Sequence, residues 1–252
     1  MLSHIDSAKL KLLRAAEHIE EIKNRVATYA ASEPHEIIME SDSKATMKIR
    51  FPPHDIAIPI GEALYQMRSA LDYLAFGLVK MSNLNTDIAW DKVAFPLKLN
   101  LPKSVWAAPV PFGHESFSQI LPGIAIGPFT FIESLQPYYP FSEPSTWLGF
   151  LAQLSNIDKH RRLNLLRTRV RHTEIRRDSA SLRTLDDGAK VESSFPLNHP
   201  NVTVDVDRRF TAFITFNERE ALGEADGLNI EDILQSCLDT INLIVVPAFE
   251  KF

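Results

Sequence analysis

The stretch that most limits the fold of this chain is residues 60–80, IGEALYQMRSALDYLAFGLVK. Its apolar residues recur at three and four, so it reads as one long helix. Leu64, Met67, Leu71, Leu74 and Leu78 make one face. Glu62, Tyr65, Ser69, Asp72, Tyr73 and Phe76 make another, bordered by Arg68. Arg68 and Asp72 stand at i, i+4 and can touch. A central helix with such a seam holds charges that are costly to bury unless paired, which makes the seam the first place to look for a site.

The flanking sequence supplies elements to cover that helix. Ser3 or Asp6 caps an expected helix to about Ala31, with Leu12, Ala15, Ile19, Ile22 and Val26 as its apolar stripe and Pro34 as its stop. Residues 35–51 alternate about the turn residues Ser41-Asp42-Ser43 and read as a hairpin. Ile56 to Pro59 reads as a short extended lead into the central helix. Val93-Ala94-Phe95-Pro96 reads as a short buried strand or arm. Short helices are expected over 101–108, 115–120 and 128–135. A longer one is expected from Glu143, capped by Ser142, to Arg161, burying Trp147, Leu148, Leu151, Leu154 and Ile157.

The period then changes to two. Strands are expected over 165–177, 191–197, 202–207 and 209–217. Asn229 caps a final helix to about Phe249, with Ile233, Leu234, Leu238, Ile241, Ile244 and Val245 as its apolar positions. The expected fold class is α+β: a helical first part around the central helix 60–81, an antiparallel sheet from about 163 to 217, and a closing C-terminal helix. One domain over 1–252 is expected, because the last helix needs a core supplied by the earlier ones.

Three clusters could carry chemistry. In the seam, Arg68 offers a fork of donors to a phosphate or carboxylate, and Asp72 could orient the ligand or act as a base. Tyr65 and Tyr73 stand beside them. The same residues also make sense as a structural ion pair. The second cluster is Asn156, Asp158, Lys159, His160 and Arg161 at the end of the helix from Glu143. Cations there suit the helix dipole, and His160 titrates near neutrality. Arg68, Asp72 and His160 are the catalytic candidates, and the remaining residues of both clusters are ligand-binding candidates. The third is the stripe Arg167, Arg169, Arg171, which an expected stripe of Asp205 and Asp207 on a neighbouring strand would neutralise.

Charge and motif content narrow the function classes. The net charge is −5, yet residues 159–177 carry +7 against −12 for the remainder. A nucleic-acid partner is therefore not favoured by the whole molecule. The single cysteine, Cys237, rules out an internal disulfide framework and suits a reducing compartment, so the cytoplasm is expected. No membrane partner is expected. The eight histidines are scattered without an HExxH or Cys/His cluster, and no P-loop, GxGxxG or GxSxG is present. No metal or cofactor is expected.

Residues 61–75, GEALYQMRSALDYLA, resemble a family of uncharacterised bacterial proteins whose members carry a segment close to G-D-x-L-H-N-L-R-S-A-L-D-H-L-A. Phe95-Pro96, Leu135-Gln136-Pro137-Tyr138 and Asn156-Ile157-Asp158-Lys159-His160-Arg161 match in the same order, so the resemblance spans 61–161. It carries no activity. The pattern is also distantly similar to the R-x4-6-H motif of HEPN domains, helical dimers of which several cleave RNA. By that resemblance Arg68 would be the motif arginine, and a homodimer would be expected. Tyr73 stands at the histidine position and Tyr65 at the family's earlier histidine, which puts RNA cleavage in doubt. Two readings follow: a ligand-binding or interaction protein with a mainly structural Arg68/Asp72 network, or a HEPN-like RNA-binding or degenerate ribonuclease module.

Overall fold

The computed structural model describes residues 3–41, 44–82, 88–97, 99, 120–138, 143–160, 166–176, 179–185, 190–191, 207–216 and 228–252. The fold is α+β. Helices α1 (His4–Ala31), α2 (Ala57–Met81), α3 (Ile126–Ser134), α4 (Glu143–His160), α5 (Ile230–Thr240) and α6 (Val246–Phe249) are accompanied by strands β1 (His35–Ser41), β2 (Lys44–Ile49), β3 (Leu166–Arg176), β4 (Ser179–Leu185), β5 (Lys190–Val191) and β6 (Asp207–Phe216). They group into two compact units. One comprises Met1–Glu20, Pro59–Leu163 and Glu231–Phe252; the other comprises Glu21–Ile58 and Asn164–Ile230.

The first unit is helical. Ser3 is the N-cap of α1: its hydroxyl accepts the Asp6 amide at 3.0 Å, and the Asp6 carboxylate accepts the Ser3 amide at 3.2 Å. This reciprocal box satisfies two donors that a helix start leaves open. Ala8, Leu12, Ala15 and Ile19 are buried, as the periodicity requires, while Leu10 and Leu13 are exposed. α2 runs antiparallel to α1. His4 stacks on Phe76 at 5.2 Å, and His18 Nδ1 lies 3.3 Å from Glu62 Oε2 at the other end. Gly77 allows the close approach, because a Cβ there would sit 2.8 Å from His4 Cβ. The expected α2 face of Leu64, Met67, Leu71, Leu74 and Leu78 is buried.

Several expectations are corrected here. Residues 56–59 are not an extended lead: a 3-10 turn at His54–Ile56 passes directly into α2 at Ala57. Pro59 is tolerated because the first-turn N–H groups have no intrahelical acceptor. Trp147 in α4 is only half-buried, unlike Leu148, Leu151, Leu154 and Ile157. The final helix is not uniform. Ile241–Val245 forms a π-turn between α5 and α6. Ile241 and Val245 are both buried, while the wider turn leaves Ile244 exposed. The turn ends two residues before Pro247, which has no N–H to donate to the Leu243 carbonyl. By length and composition the segment Ile230–Phe249 could cross a membrane, and half of its most apolar window is buried inside the protein.

The second unit carries the sheets. The 35–49 hairpin forms as expected, paired from His35↔Ile49 to Ser41↔Lys44. β5 extends it into an antiparallel sheet of order β1-β2-β5. The other sheet has order β4-β3-β6, also antiparallel. The α1 end lies in this unit, where the Tyr29 hydroxyl donates to the Arg50 carbonyl and lies 2.5 Å from Thr168 Oγ1 on β3. α1 stops at Ala31, with Glu33 at φ 48° just before Pro34.

Strand β4 falls where the sequence showed no strand signal. Its residues SASLRTL are small and polar at three of seven positions, and it pairs with β3 from Val170↔Leu185 to Arg176↔Ser179. In the expected arginine–aspartate stripe, Asp207 does not stand directly opposite an arginine, and Asp205 lies outside the described residues. Arg167, Arg169 and Arg171 stand opposite Thr215, Phe213 and Thr211 of β6, and Asp207 stands opposite Ile175. Asp205, residues 202–206 of the expected strand 202–207, residues 192–197, the expected helix 101–108 and residues 115–119 of the expected helix 115–120 lie outside the described residues, as does the cap Ser142.

Candidate functional site

The Arg68/Asp72 seam of α2 is built around a backbone rather than an open cleft. Arg68 Nη2 donates to the carbonyl of Phe95. Asp72 Oδ1 accepts the amide of the same residue at 2.9 Å. The two side chains lie 3.4 Å apart, with 18% of the arginine side chain and 37% of the aspartate exposed. Burial lowers the guanidinium pKa, and the Asp72 charge opposes that shift, so the pair neutralises the charge that folding has removed from water. Phe95 itself is fully buried, its ring centroid 6.2 Å from that of Phe249. The next carbonyl, Pro96, accepts Gln136 Nε2 at 3.0 Å.

Residues 93–96 are therefore the buried arm of the two alternatives. They pair with no strand among the described residues, and side chains supply the hydrogen bonds that a sheet would otherwise supply. Sequence reasoning named Arg68 and Asp72 but not their target. The signal was there: an X-Pro step holding one large aromatic residue, with a glutamine standing before Pro137.

The tyrosines of α2 face outward. Tyr65 is 52% exposed and Tyr73 is 39% exposed. Lys11 Nζ of α1 lies 5.6 Å from the Tyr65 ring centroid and Lys159 Nζ of α4 lies 5.9 Å from it, both within cation–π range. A groove of about 370 Å³ continues between α1 and α2, lined by Ser7, Leu10, Lys11, Arg14, Gln66 and Tyr73. The α1 contribution repeats at i, i+3, i+4 and i+7, so one helix face supplies it. None of its α1 residues stood out in the sequence, because Leu10 and Leu13 read as part of a broad apolar periodicity.

The end of α4 meets the start of α2, which joins two of the three sequence clusters. Asp158 packs on Gly61 so closely that a Cβ there would lie 2.6 Å from Oδ1 and 2.7 Å from Oδ2. Asp158 Oδ1 is buried and has no hydrogen-bond partner among the described residues. Burial raises its pKa, and neighbouring Lys159 opposes the rise. Asn156 is exposed. The His160 side chain and Arg161 lie outside the described residues. Among the described residues no group of three or more His, Cys, Asp or Glu side chains could hold a metal ion.

Comparison with protein-family models, with curated proteins and with solved structures finds no match to this chain.

Proposed function

We propose that this chain is a binding module whose working surface is the basic, aromatic face shared by α1, α2 and the end of α4. The observation that carries this reading is the half-exposed Tyr65 ring with the Lys11 and Lys159 ammonium groups 5.6 and 5.9 Å from its centroid. Two cations and an aromatic face that leads into a groove with apolar Leu10 suit an acidic, partly apolar partner such as the face of an amphipathic helix. The Arg68/Asp72 pair takes a structural role here, since both groups are engaged by the Phe95 peptide.

The same ring and cations also favour a second reading. A nucleobase can stack on Tyr65 with its phosphates against the lysines, in keeping with the HEPN-like resemblance of the Arg68 segment. Fluorescence anisotropy separates the two, using an acidic amphipathic helical peptide and a single-stranded RNA oligonucleotide as probes. The first reading expects peptide binding that weakens about tenfold or more, or 1.4 kcal/mol, in the Lys11→Glu/Lys159→Glu variant. RNA binding with the same sensitivity, without peptide binding, replaces it by the second. Binding of neither probe overturns both.

A further inference from the structure

The first unit carries a second surface whose character is opposite to that of the α1–α2 groove. Around the π-turn, Leu243 is 72% exposed and Ile244 38%. With Trp147 and Pro144 of α4 they line a groove of about 250 Å³ that Glu143 and Asp239 also line. The lining combines apolar Trp147, Leu243 and Ile244 with the carboxylates of Glu143 and Asp239. Leu243 lies opposite buried Ile241 and Val245, and the π-turn brings Ile244 out beside it by breaking the phase that would hold position 244 on the buried face. Exposed leucine and isoleucine side chains gain by leaving water.

We propose that this acidic patch docks head to tail into the α1–α2 groove of a second copy of the chain. The inference rests on the reading of that groove as a docking face and names its occupant. Charge complementarity carries it. Glu143 and Asp239 flank Leu243 and Ile244 on one side; Lys11 and Arg14 flank Leu10 on the other. Arg14 also pairs with Glu17 at 2.6 Å, an exposed contact that contributes little and leaves more than half of each side chain accessible. Pairing either face with itself would set like charges opposite each other, which is unfavourable. Both faces belong to one compact unit, and Leu10 and Leu243 are each exposed on it. A contact of this kind is heterologous, and it builds rings or open arrays rather than a closed two-fold dimer. The small grooves place it among weak, concentration-dependent associations.

Sedimentation velocity on the full chain over a concentration series tests this, with Leu10→Glu and Leu243→Glu as variants at exposed positions and circular dichroism as the check on folding. The parent is expected to sediment faster as concentration rises and to lose this in high salt. Each variant is expected to stay monomeric. An equimolar mixture of the two is expected to give a one-to-one dimer and nothing larger, since only one intact pair of faces remains. A parent that is monomeric throughout overturns the inference, as does an inert mixture or self-association retained by either variant alone. If the parent is monomeric while the acidic peptide still binds the groove, the docking reading stands and the second copy is excluded as its occupant.

Discussion

Asp72 and Phe95 stand 23 residues apart in sequence, and the carboxylate of one accepts the backbone amide of the other at 2.9 Å. Arg68, one helical turn earlier on α2, donates to the Phe95 carbonyl. An i, i+4 pair of opposite charge thus grips both polar groups of a single buried residue. The pair replaces a missing β-partner for the 93–96 arm and fixes the depth at which the Phe95 ring enters the core.

Replacing Arg68 by Ala is expected to destabilise the protein by about 2–4 kcal/mol, the range for losing one member of a buried hydrogen-bonded charge pair. It strands the Phe95 carbonyl and leaves Asp72 without its counter-charge. Asp72→Asn keeps an acceptor for the Phe95 amide and is expected to cost less, roughly 1–2 kcal/mol. Urea denaturation of both variants checks the order. An Arg68→Ala protein as stable as the parent would dismiss the clamp.

Cys237 is fully buried, with its thiol donating to the Trp147 carbonyl at 3.2 Å. Burial pushes its pKa up to about 12, against a smaller opposing effect from the Leu151 backbone. The reactive thiolate is therefore scarce at neutral and mildly alkaline pH. A thiol reagent such as dithionitrobenzoate is expected to leave the native protein unlabelled and to titrate one thiol per chain in denaturant. Rapid native labelling would show that the α4–α5 packing opens readily.

Much of this fold was legible in the sequence because long helices advertise themselves. The stripe from Leu12 to Val26 and the α2 face from Leu64 to Leu78 follow the helical period without interruption, and all those positions are buried. The β1–β2 hairpin was legible for a similar reason, with alternating residues on both sides of a Ser-Asp-Ser turn. Strand β4 was not, because SASLRTL holds one β-branched residue, Thr184, and no aromatic one, and its pairing is supplied by β3. The phase of the last helix was misread at Ile244, since a π-turn inserts without any change in composition. At the candidate site Arg68 and Asp72 were visible as anomalous charges on an apolar helix. Their target was not, because a backbone amide and carbonyl leave no mark in a sequence. Lys11 was missed because its role depends on α1 lying antiparallel to α2.

Glu133 on α3 is buried, and its Oε1 has no hydrogen-bond partner among the described residues. Burial raises its pKa above the ordinary 4.5. The folded state then holds this proton more tightly than the unfolded state. Below 4.5 both states are protonated and the group adds no penalty. As pH rises from there through the raised folded value the penalty grows, so stability falls. The neutral variant Glu133→Gln is expected to gain on the parent as pH rises above 4.5 and through the raised folded value. Urea midpoints measured for both proteins across that range check the sign, and a pH-independent difference would remove Glu133 as the source.

The contact of Gly61 with Asp158 gives the sharpest test of how α4 sits on α2. Alanine is the better helix former, by about 1 kcal/mol over glycine in an open helix position. Here its methyl group would lie 2.6–2.9 Å from the Asp158 carboxylate atoms, inside their van der Waals contact. Gly61→Ala is therefore expected to destabilise by roughly 1–3 kcal/mol, the usual range for overpacking, in spite of its propensity. Removing the obstacle should reverse the sign. In an Asp158→Ala background the same Gly61→Ala change is expected to be neutral or stabilising, which is a coupling of at least about 1 kcal/mol between two touching sites. Denaturant unfolding of the four proteins closes the cycle. Additive effects would mean that α4 can move off α2 at little cost, and Lys159 would then no longer be held near the Tyr65 ring.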